Sequence, residues 1–495
     1  MKHTKLYTIL ATIALVSLTT GCDKLLEEKP KTTIRVGELD PTLLEQTVIG
    51  AYEPMTRSRG RLWESTVGLG FELMSEYADG GSVQSAWSNY NNIMNNPNAM
   101  QQPYTTLYEA IGRANGLINR LDENTTLDNA LKQKAYGEAY FIRAVCYFFA
   151  VRTWGRLPLR LKPVITPADV PLALSDAATV YAQIITDLKF AETALPPTVN
   201  AANAGRATSG AAKVALADVY LHMGDFTNAR AKAKEVMDTK ATYGYDLETS
   251  LATVYSPALA TNKEDVFSLK FSQVVDRGGF LASYYADSRA KQAGFSVSGN
   301  KFGGIISVAP LIKNWDDNDQ RKKFSLYTNY VINGVVTAAE IEPGIYDVRL
   351  GKYKDPNAPI DTGNGNDFYF WRYADVLLIF AEAENKLNGP GAAAYEAINI
   401  VRRRGYGVSM TAPSALADLP AGLTQTQFDD MVFRERGYEF IGECKRWFDL
   451  VRTNRAAKEI GDVRAAISIP TRKPVPNILL FRLPDVEFQN NPLAQ

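Results

Sequence analysis

Six consecutive residues, Trp87-Ser88-Asn89-Tyr90-Asn91-Asn92, set two flat rings among carboxamides and a hydroxyl. That is carbohydrate chemistry. A sugar ring has apolar C–H faces edged by hydroxyls, so it needs an aromatic platform flanked by amide, carboxylate or guanidinium groups. Trp87, Asn89 and Tyr90 are the side chains expected to touch such a ligand. A second group has the same make-up: Tyr284, Tyr285, Asp287 and Arg289, joined by Trp315 with Asp316, Asp317 and Asn318 behind it. Tyr284, Tyr285, Arg289 and Trp315 are its expected contacts. Each ring has an alternative use as a packed loop aromatic, because Trp and Tyr are mostly buried on average.

Other chemistries have little to work with. Histidine occurs twice, as His3 and His222, too few for a histidine-based triad or a histidine-rich metal site. Of the three cysteines, Cys146 and Cys444 lie in aromatic-rich helical segments and read as buried free thiols rather than a disulfide. Asp361-Thr362-Gly363-Asn364-Gly365-Asn366-Asp367 and Asp316-Asp317-Asn318-Asp319 cluster oxygen ligands. Neither has the EF-hand spacing with its terminal glutamate, so no cofactor is expected, and calcium at these clusters is the alternative. A glycoside hydrolase needs two carboxylates about 5 to 10 Å apart across a cleft, and no motif singles out a pair. Glu435 and Asp449, inside charged helical motifs, read as ion-pairing groups, and no catalytic residue is expected.

The third cysteine, Cys22, has a different setting. Lys2 and Lys5 precede an apolar run from Ile9 to Leu18, and Leu18-Thr19-Thr20-Gly21-Cys22 closes it. This is the layout of a bacterial lipoprotein signal, with Cys22 as the lipid-bearing first residue of the mature chain. A transmembrane helix would need about 20 apolar residues, and Thr19, Thr20 and Gly21 break the run. Asp23, Lys24, Glu27, Glu28, Lys29 and Pro30 then form a polar tether. Lys plus Arg equals Asp plus Glu at 54 each, which argues against nucleic acid as a partner, since phosphate binding needs a cationic excess.

The elements that must hold these groups are helical. Thr42–Tyr52, Thr106–Leu121, Leu127–Thr153, Ala178–Ala194, Ser209–His222, Thr227–Asp238, Tyr373–Leu387, Ala392–Arg404 and Gln425–Thr453 all carry apolar residues at three-to-four spacing. Gly155, Pro196, Gly224 and Gly389 punctuate their ends. Ala217, Tyr220, Gly224, Phe226, Ala229, Ala233 and Val236 fall at the small, aromatic and turn positions of a tetratricopeptide repeat. A weaker copy spans Ala381 to Arg404. Trp63–Tyr104 is instead rich in Gly, Ser, Asn and Tyr, and Val254–Asp367 mixes short β-like runs with Gly, Asn and Asp; with aromatics that helical core packing does not explain, long polar loops of this kind are usually functional or disordered. At 495 residues, two lobes or one large repeat-based domain are expected.

Four segments together resemble the SusD/RagB family of surface nutrient-binding lipoproteins. They are Gly137-Glu138-Ala139-Tyr140-Phe141-Ile142-Arg143-Ala144 running to Trp154-Gly155-Arg156-Leu157-Pro158-Leu159; Trp371-Arg372-Tyr373-Ala374-Asp375-Val376-Leu377-Leu378 with Ala381-Glu382-Ala383 and Asn385; Ala397-Ile398-Asn399-Ile400-Val401-Arg402-Arg403-Arg404; and Arg434-Glu435-Arg436-Gly437-Tyr438-Glu439-Phe440 followed by Arg446-Trp447-Phe448-Asp449-Leu450-Val451-Arg452. In order after a lipoprotein signal, they cover nearly the whole chain. As residues, they read as scaffold, with Asp375 capping or pairing near a helix start and the Arg446 block supplying ion pairs between helices. Asp319-Gln320-Arg321 likewise resembles a structural Asp-x-Arg element.

The resemblance implies a mainly α fold, in which tetratricopeptide-like hairpins form a right-handed superhelix carrying a loop-rich ligand lobe with short β elements. It divides the chain into a signal peptide (1–21), a lipidated tether (22–40) and one domain (41–495). Within that domain the scaffold covers about 41–60, 105–250 and 370–495, and the ligand lobe about 61–104 and 254–367. It also implies an outer-membrane location facing the cell exterior and a SusC-like TonB-dependent transporter as partner. The implied ligand is an oligosaccharide, with a peptide as the second reading and glycan hydrolysis behind it. A helical-repeat assembly protein with no small ligand is the remaining alternative.

Overall fold

The computed structural model describes residues 39–57, 63, 67–82, 84–275, 277–360, 363–466, 474–477 and 479–494. The expected signal peptide, the lipid site at Cys22 and all of the tether but Leu39 and Asp40 lie outside them.

Helices begin where polar side chains satisfy their free N–H groups. Asp40 accepts from the Leu43 N–H at 2.8 Å to open α1 (Pro41–Thr56). After α2 (Gln101–Glu123), Asp128 caps α3 (Asn129–Trp154) and Asp176 caps α4 (Ala177–Ala194). Thr208 caps α5 (Ser209–Met223) and Asp225 caps α6 (Phe226–Asp238). Beyond the lobe come α7 (Tyr373–Asn388), α8 (Ala392–Gly405), α9 (Gln425–Glu439), α10 (Arg446–Arg452) and α11 (Ala456–Ala466).

Each helix from α1 to α8 packs on the next. Helices make up about 52% of the structure, and the arrangement is mainly α and tetratricopeptide-like. The repeat signature has a visible cause between α5 and α6. Gly224 takes φ +74°, a left-handed turn that costs a residue without Cβ little. Ala217, Ala229 and Ala233 are buried where the two helices meet. Arg143, from the first family motif, binds the next helices together: it pairs with Asp187 of α4 at 2.8 Å and donates to Asn115 of α2 at 2.8 Å.

Although α6 and α7 are neighbours in space, residues 239–372 lie between them in sequence. A first part of the loop-rich lobe, around Glu72 and Trp87, falls between α1 and α2; its larger part is thus inserted between two successive scaffold helices. Its ends are tied by strand β1 (Asp265–Leu269), which pairs antiparallel with the later strand Phe368–Arg372, so that Asp265 faces Arg372 where the chain re-enters α7. Within the lobe β2 (Asn329–Ile332) and β3 (Val335–Ala338) form a hairpin around Asn333-Gly334, both at positive φ; Phe368–Arg372 is β4. Among the described residues strands occur only in two-stranded pairs.

The helix expected over Gln425–Thr453 is broken. It stops at Glu439 and restarts at Arg446, with Gly442 at φ +79° and Cys444 at φ +62° between. Glu72 explains the break: its carboxylate accepts from the Gly442 N–H at 2.6 Å and the Cys444 N–H at 3.1 Å, giving the interrupted backbone its missing partners. Cys146 and Cys444 are buried free thiols, as expected.

Candidate functional site

The lobe has little regular structure to fill its interior, and aromatic rings fill it instead. Trp87, the first ring expected to meet a ligand, is only 8% exposed. It lies beside Phe71 and Phe481, with ring centroids 6.3 and 6.4 Å away. A Cβ on Gly70 would come within 2.5 Å of its ring, so that glycine makes the room it occupies. Tyr90 is fully buried, donates its hydroxyl to the Met74 carbonyl at 3.0 Å and stacks on Trp447 at 5.8 Å. Asn89 is half-buried between two short helices. The expectation that Trp87 and Tyr90 form an open platform is therefore corrected: neighbouring rings cover them.

The second group divides. Tyr285 is buried against Tyr353, with ring planes 17° apart and centroids 6.2 Å apart. Tyr284 is also buried, but it is the middle ring of a stack. Phe280 lies on one side at 5.3 Å and Phe302 on the other at 5.1 Å, and Phe302 is half-exposed. The outermost surface of this stack is Phe302, a residue the sequence did not single out. Its rim is polar. The backbone N–H of Asn300 bonds the Ser283 carbonyl at 3.0 Å, and Lys301 pairs with Glu340, which also accepts from Ser288. Half-exposed Arg289 donates to the Ala338 carbonyl of the hairpin. A partly open ring backed by two buried ones, with Asn300 and Lys301 next to it in the chain, can seat the apolar face of a sugar.

Trp315 lies apart from both groups. It is 2% exposed, stacked on Tyr438 at 4.8 Å, and its Nε1–H donates to Asp319 at 2.9 Å, so it is corrected from ligand contact to core ring. The neighbouring acids are equally engaged. Asp316 accepts from Asn318 and Tyr406, Asp317 pairs with Lys322, and Asp319 pairs with Arg321 at 2.6 Å. Burial pushes the Asp319 carboxyl up, but the Arg321 guanidinium outweighs it and holds the group below the usual carboxylate range. In the other acid-rich loop, Asp367 receives Lys270 at 2.7 Å and Asn364 accepts from Ser283; Asp361 and Thr362 lie outside the described residues. Among the described residues, no group of three or more His, Cys, Asp or Glu side chains is arranged to hold a metal ion.

The charged family motifs converge inside the molecule. Arg372 reaches Glu264 at 2.6 Å and Glu439 and Glu443 at 2.9 Å; Arg404 reaches Glu264 at 2.7 Å and Glu439 at 2.5 Å. Arg321 pairs with Glu435 and Glu439 at 2.6 and 3.0 Å, and Lys352 with Glu443 at 2.7 Å. Glu435 also meets Arg402 at 3.0 Å, and Asp449 lies between Arg436 and Arg452, 2.8 Å from each. Burial opposes the Asp449 charge, yet these two guanidinia keep it ionised far below the ordinary range. Such acids are engaged in holding helices together. Asp375 accepts from the Arg372 N–H at 2.8 Å, the capping role its position suggested. No described helix is long and apolar enough to cross a membrane.

Two family profiles match the chain: "SusD family" over residues 344–469 and "Starch-binding associating with outer membrane" over residues 24–221. SusD-like protein P25 of Formosa agariphila is 25% identical, with 99% of this chain and 98% of that one aligned. Among solved structures, a SusD homologue from Bacteroides thetaiotaomicron is 22% identical, covers 92% of this chain and 96% of its own, and superposes with a TM-score of 0.77. Surface glycan-binding protein A from the same organism, in complex with laminarihexaose, is 18% identical with a TM-score of 0.73, over 91% of this chain and 97% of that one.

Proposed function

The chain belongs to the SusD/RagB family, and from that premise we propose that it is a cell-surface lipoprotein that captures an oligosaccharide and passes it to a TonB-dependent outer-membrane transporter. Cys22 carries the lipid, and the helical scaffold holds the lobe away from the membrane. Phe302 is the outer stacking surface, with Tyr284 and Phe280 fixing its plane and Arg289 and Asn300 reaching the hydroxyls of a bound sugar. The observation that carries this reading is the ring stack ending at the lobe surface in a chain whose fold matches a laminarihexaose-bound protein along nearly its whole length. The protein binds without cutting: Glu435 and Asp449, the acids of the charged motifs, are buried and each is held in ion pairs with arginines.

A glycan and peptide array probed with the protein lacking residues 1–22 tests the ligand class. Retention of oligosaccharides and not of peptides is expected; retention of peptides alone would move the protein to the peptide-binding reading. Incubation with a retained glycan is expected to leave its chain length unchanged. Replacing Cys22 with Ala is expected to release the protein from the membrane fraction, and co-purification with a TonB-dependent transporter from detergent-solubilised outer membranes tests the partner.

A further inference from the structure

A groove of about 390 Å³ opens where the connection from α4 to α5, the turn Tyr243-Gly244-Tyr245 and the lead into β1 meet. It shares no residue with the Phe302 stack. Gly244 takes φ +71° and folds the turn back, so the rings of Tyr243 and Tyr245 stack at 5.4 Å with planes 29° apart. Gly210 of α5 gives them space, since a Cβ there would come within 2.7 Å of the Tyr245 hydroxyl and 2.8 Å of the Tyr243 ring. Tyr245 is buried and its hydroxyl lies 3.2 Å from that of Thr208, whereas Tyr243 is half-exposed and its hydroxyl has no hydrogen-bond partner among the described residues.

The polar lining keeps spare capacity. The exposed Lys263 ammonium has no ion-pair partner among the described residues. Glu248 spends one carboxylate oxygen on the Lys263 N–H at 2.9 Å, and Asn200 uses its carbonyl oxygen on Asn203 while its NH₂ stays available. Arg206, in the groove wall, is already paired with Glu138 at 2.6 Å. A fixed aromatic surface with one ammonium, one carboxylate and one amide around it suits a neutral polyhydroxylated ring: the ring covers the C–H face, the ammonium and amide donate to hydroxyl oxygens, and the carboxylate accepts from hydroxyls.

We propose that this groove is a second sugar-binding site, on the scaffold side of the molecule, with Tyr243 as its stacking ring and Asn200, Glu248 and Lys263 as its hydroxyl partners. The proposal rests on the glycan-binding reading above and adds a second place of contact for one long oligosaccharide or for two. The test is calorimetric titration of the full chain in detergent with laminarihexaose, maltohexaose, cellohexaose and xylohexaose. Tyr243→Ala and Lys263→Ala are expected to weaken the bound hexasaccharide about five- to tenfold, or to remove one of two binding events, while Tyr243→Phe keeps most of the affinity because it keeps the ring. Lys263 is exposed, so its variant folds and the test stands even if Tyr243→Ala does not.

Affinity unchanged in both Tyr243→Ala and Lys263→Ala, alongside loss in Phe302→Ala, would overturn the groove and leave the glycan-binding reading standing. Affinity that Tyr243→Phe lowers as much as Tyr243→Ala would overturn stacking as its basis. Absence of binding of all four sugars by the parent, with none retained on the glycan array, would overturn both.

Discussion

An aromatic ring in a polar loop can be held in two ways: covered by other rings, or half-open with its back supported. Trp87, Tyr90 and Trp315 take the first, and Phe302 takes the second. The two predict opposite phenotypes. Trp87→Ala empties a site that Gly70 was shaped to leave, so unfolding in denaturant should show a loss of about 3–5 kcal/mol. Phe302→Ala, at a ring only partly buried, should cost clearly less stability than Trp87→Ala and weaken oligosaccharide binding about tenfold in titration. Equal stability losses in the two variants would remove Phe302 as the outer surface. Sequence made the aromatic and amide composition of these loops plain, but not which rings were free, because the rings covering Trp87 come from Phe71 and from Phe481 near the other end of the chain.

At the scale of elements, helix periodicity was readable wherever packing is between neighbours. Both α5 and α6 and their Gly224 turn follow from small residues at close-approach positions and a glycine where the backbone turns left-handed. The break between α9 and α10 was not readable, because its cause, Glu72, lies in the lobe. Burial raises the Glu72 carboxyl from 4.5 to about 7, against the pull of the Tyr77 hydroxyl and the Gly442 and Cys444 N–H groups. Between those two pH values the folded protein keeps a proton that the unfolded chain has released. Its stabilising contribution is thus complete below about pH 4.5 and is lost by about pH 7, falling by about 1.4 kcal/mol per pH unit. Glu72→Gln should flatten that slope in urea unfolding measured from pH 4.5 to 7.5. An identical pH dependence in parent and variant would mean Glu72 is not the titrating group.

Across the whole molecule, the buried charges link the lobe to the scaffold. Arg372 at the head of α7 holds Glu264 from the strand side and Glu439 and Glu443 from the α9–α10 region, so one guanidinium bridges three acids from two segments, with Arg404 and Lys352 sharing their charge. Arg372→Ala would strand buried carboxylates and is expected to cost about 3–5 kcal/mol. Because the pairs lie inside, beyond the reach of mobile ions, 0.5 M NaCl should leave the parent's stability almost unchanged; a large salt effect would place these pairs at the surface. Seating the larger part of the lobe between α6 and α7, with β1 and β4 tying its two ends, makes loop geometry depend on scaffold geometry, which is how an irregular surface can hold a fixed ring stack.

The chain's own order of residues determined the helices, their caps, the Gly224 turn, the pairing role of the charged motifs and the family, because each of these rests on spacings of a few residues or on short ordered motifs. Tertiary structure alone decided which aromatics face outward, where α9 stops, and that Tyr243 borders a groove. Burial and close approach are set by partners far along the chain, and no local pattern records which partner will arrive.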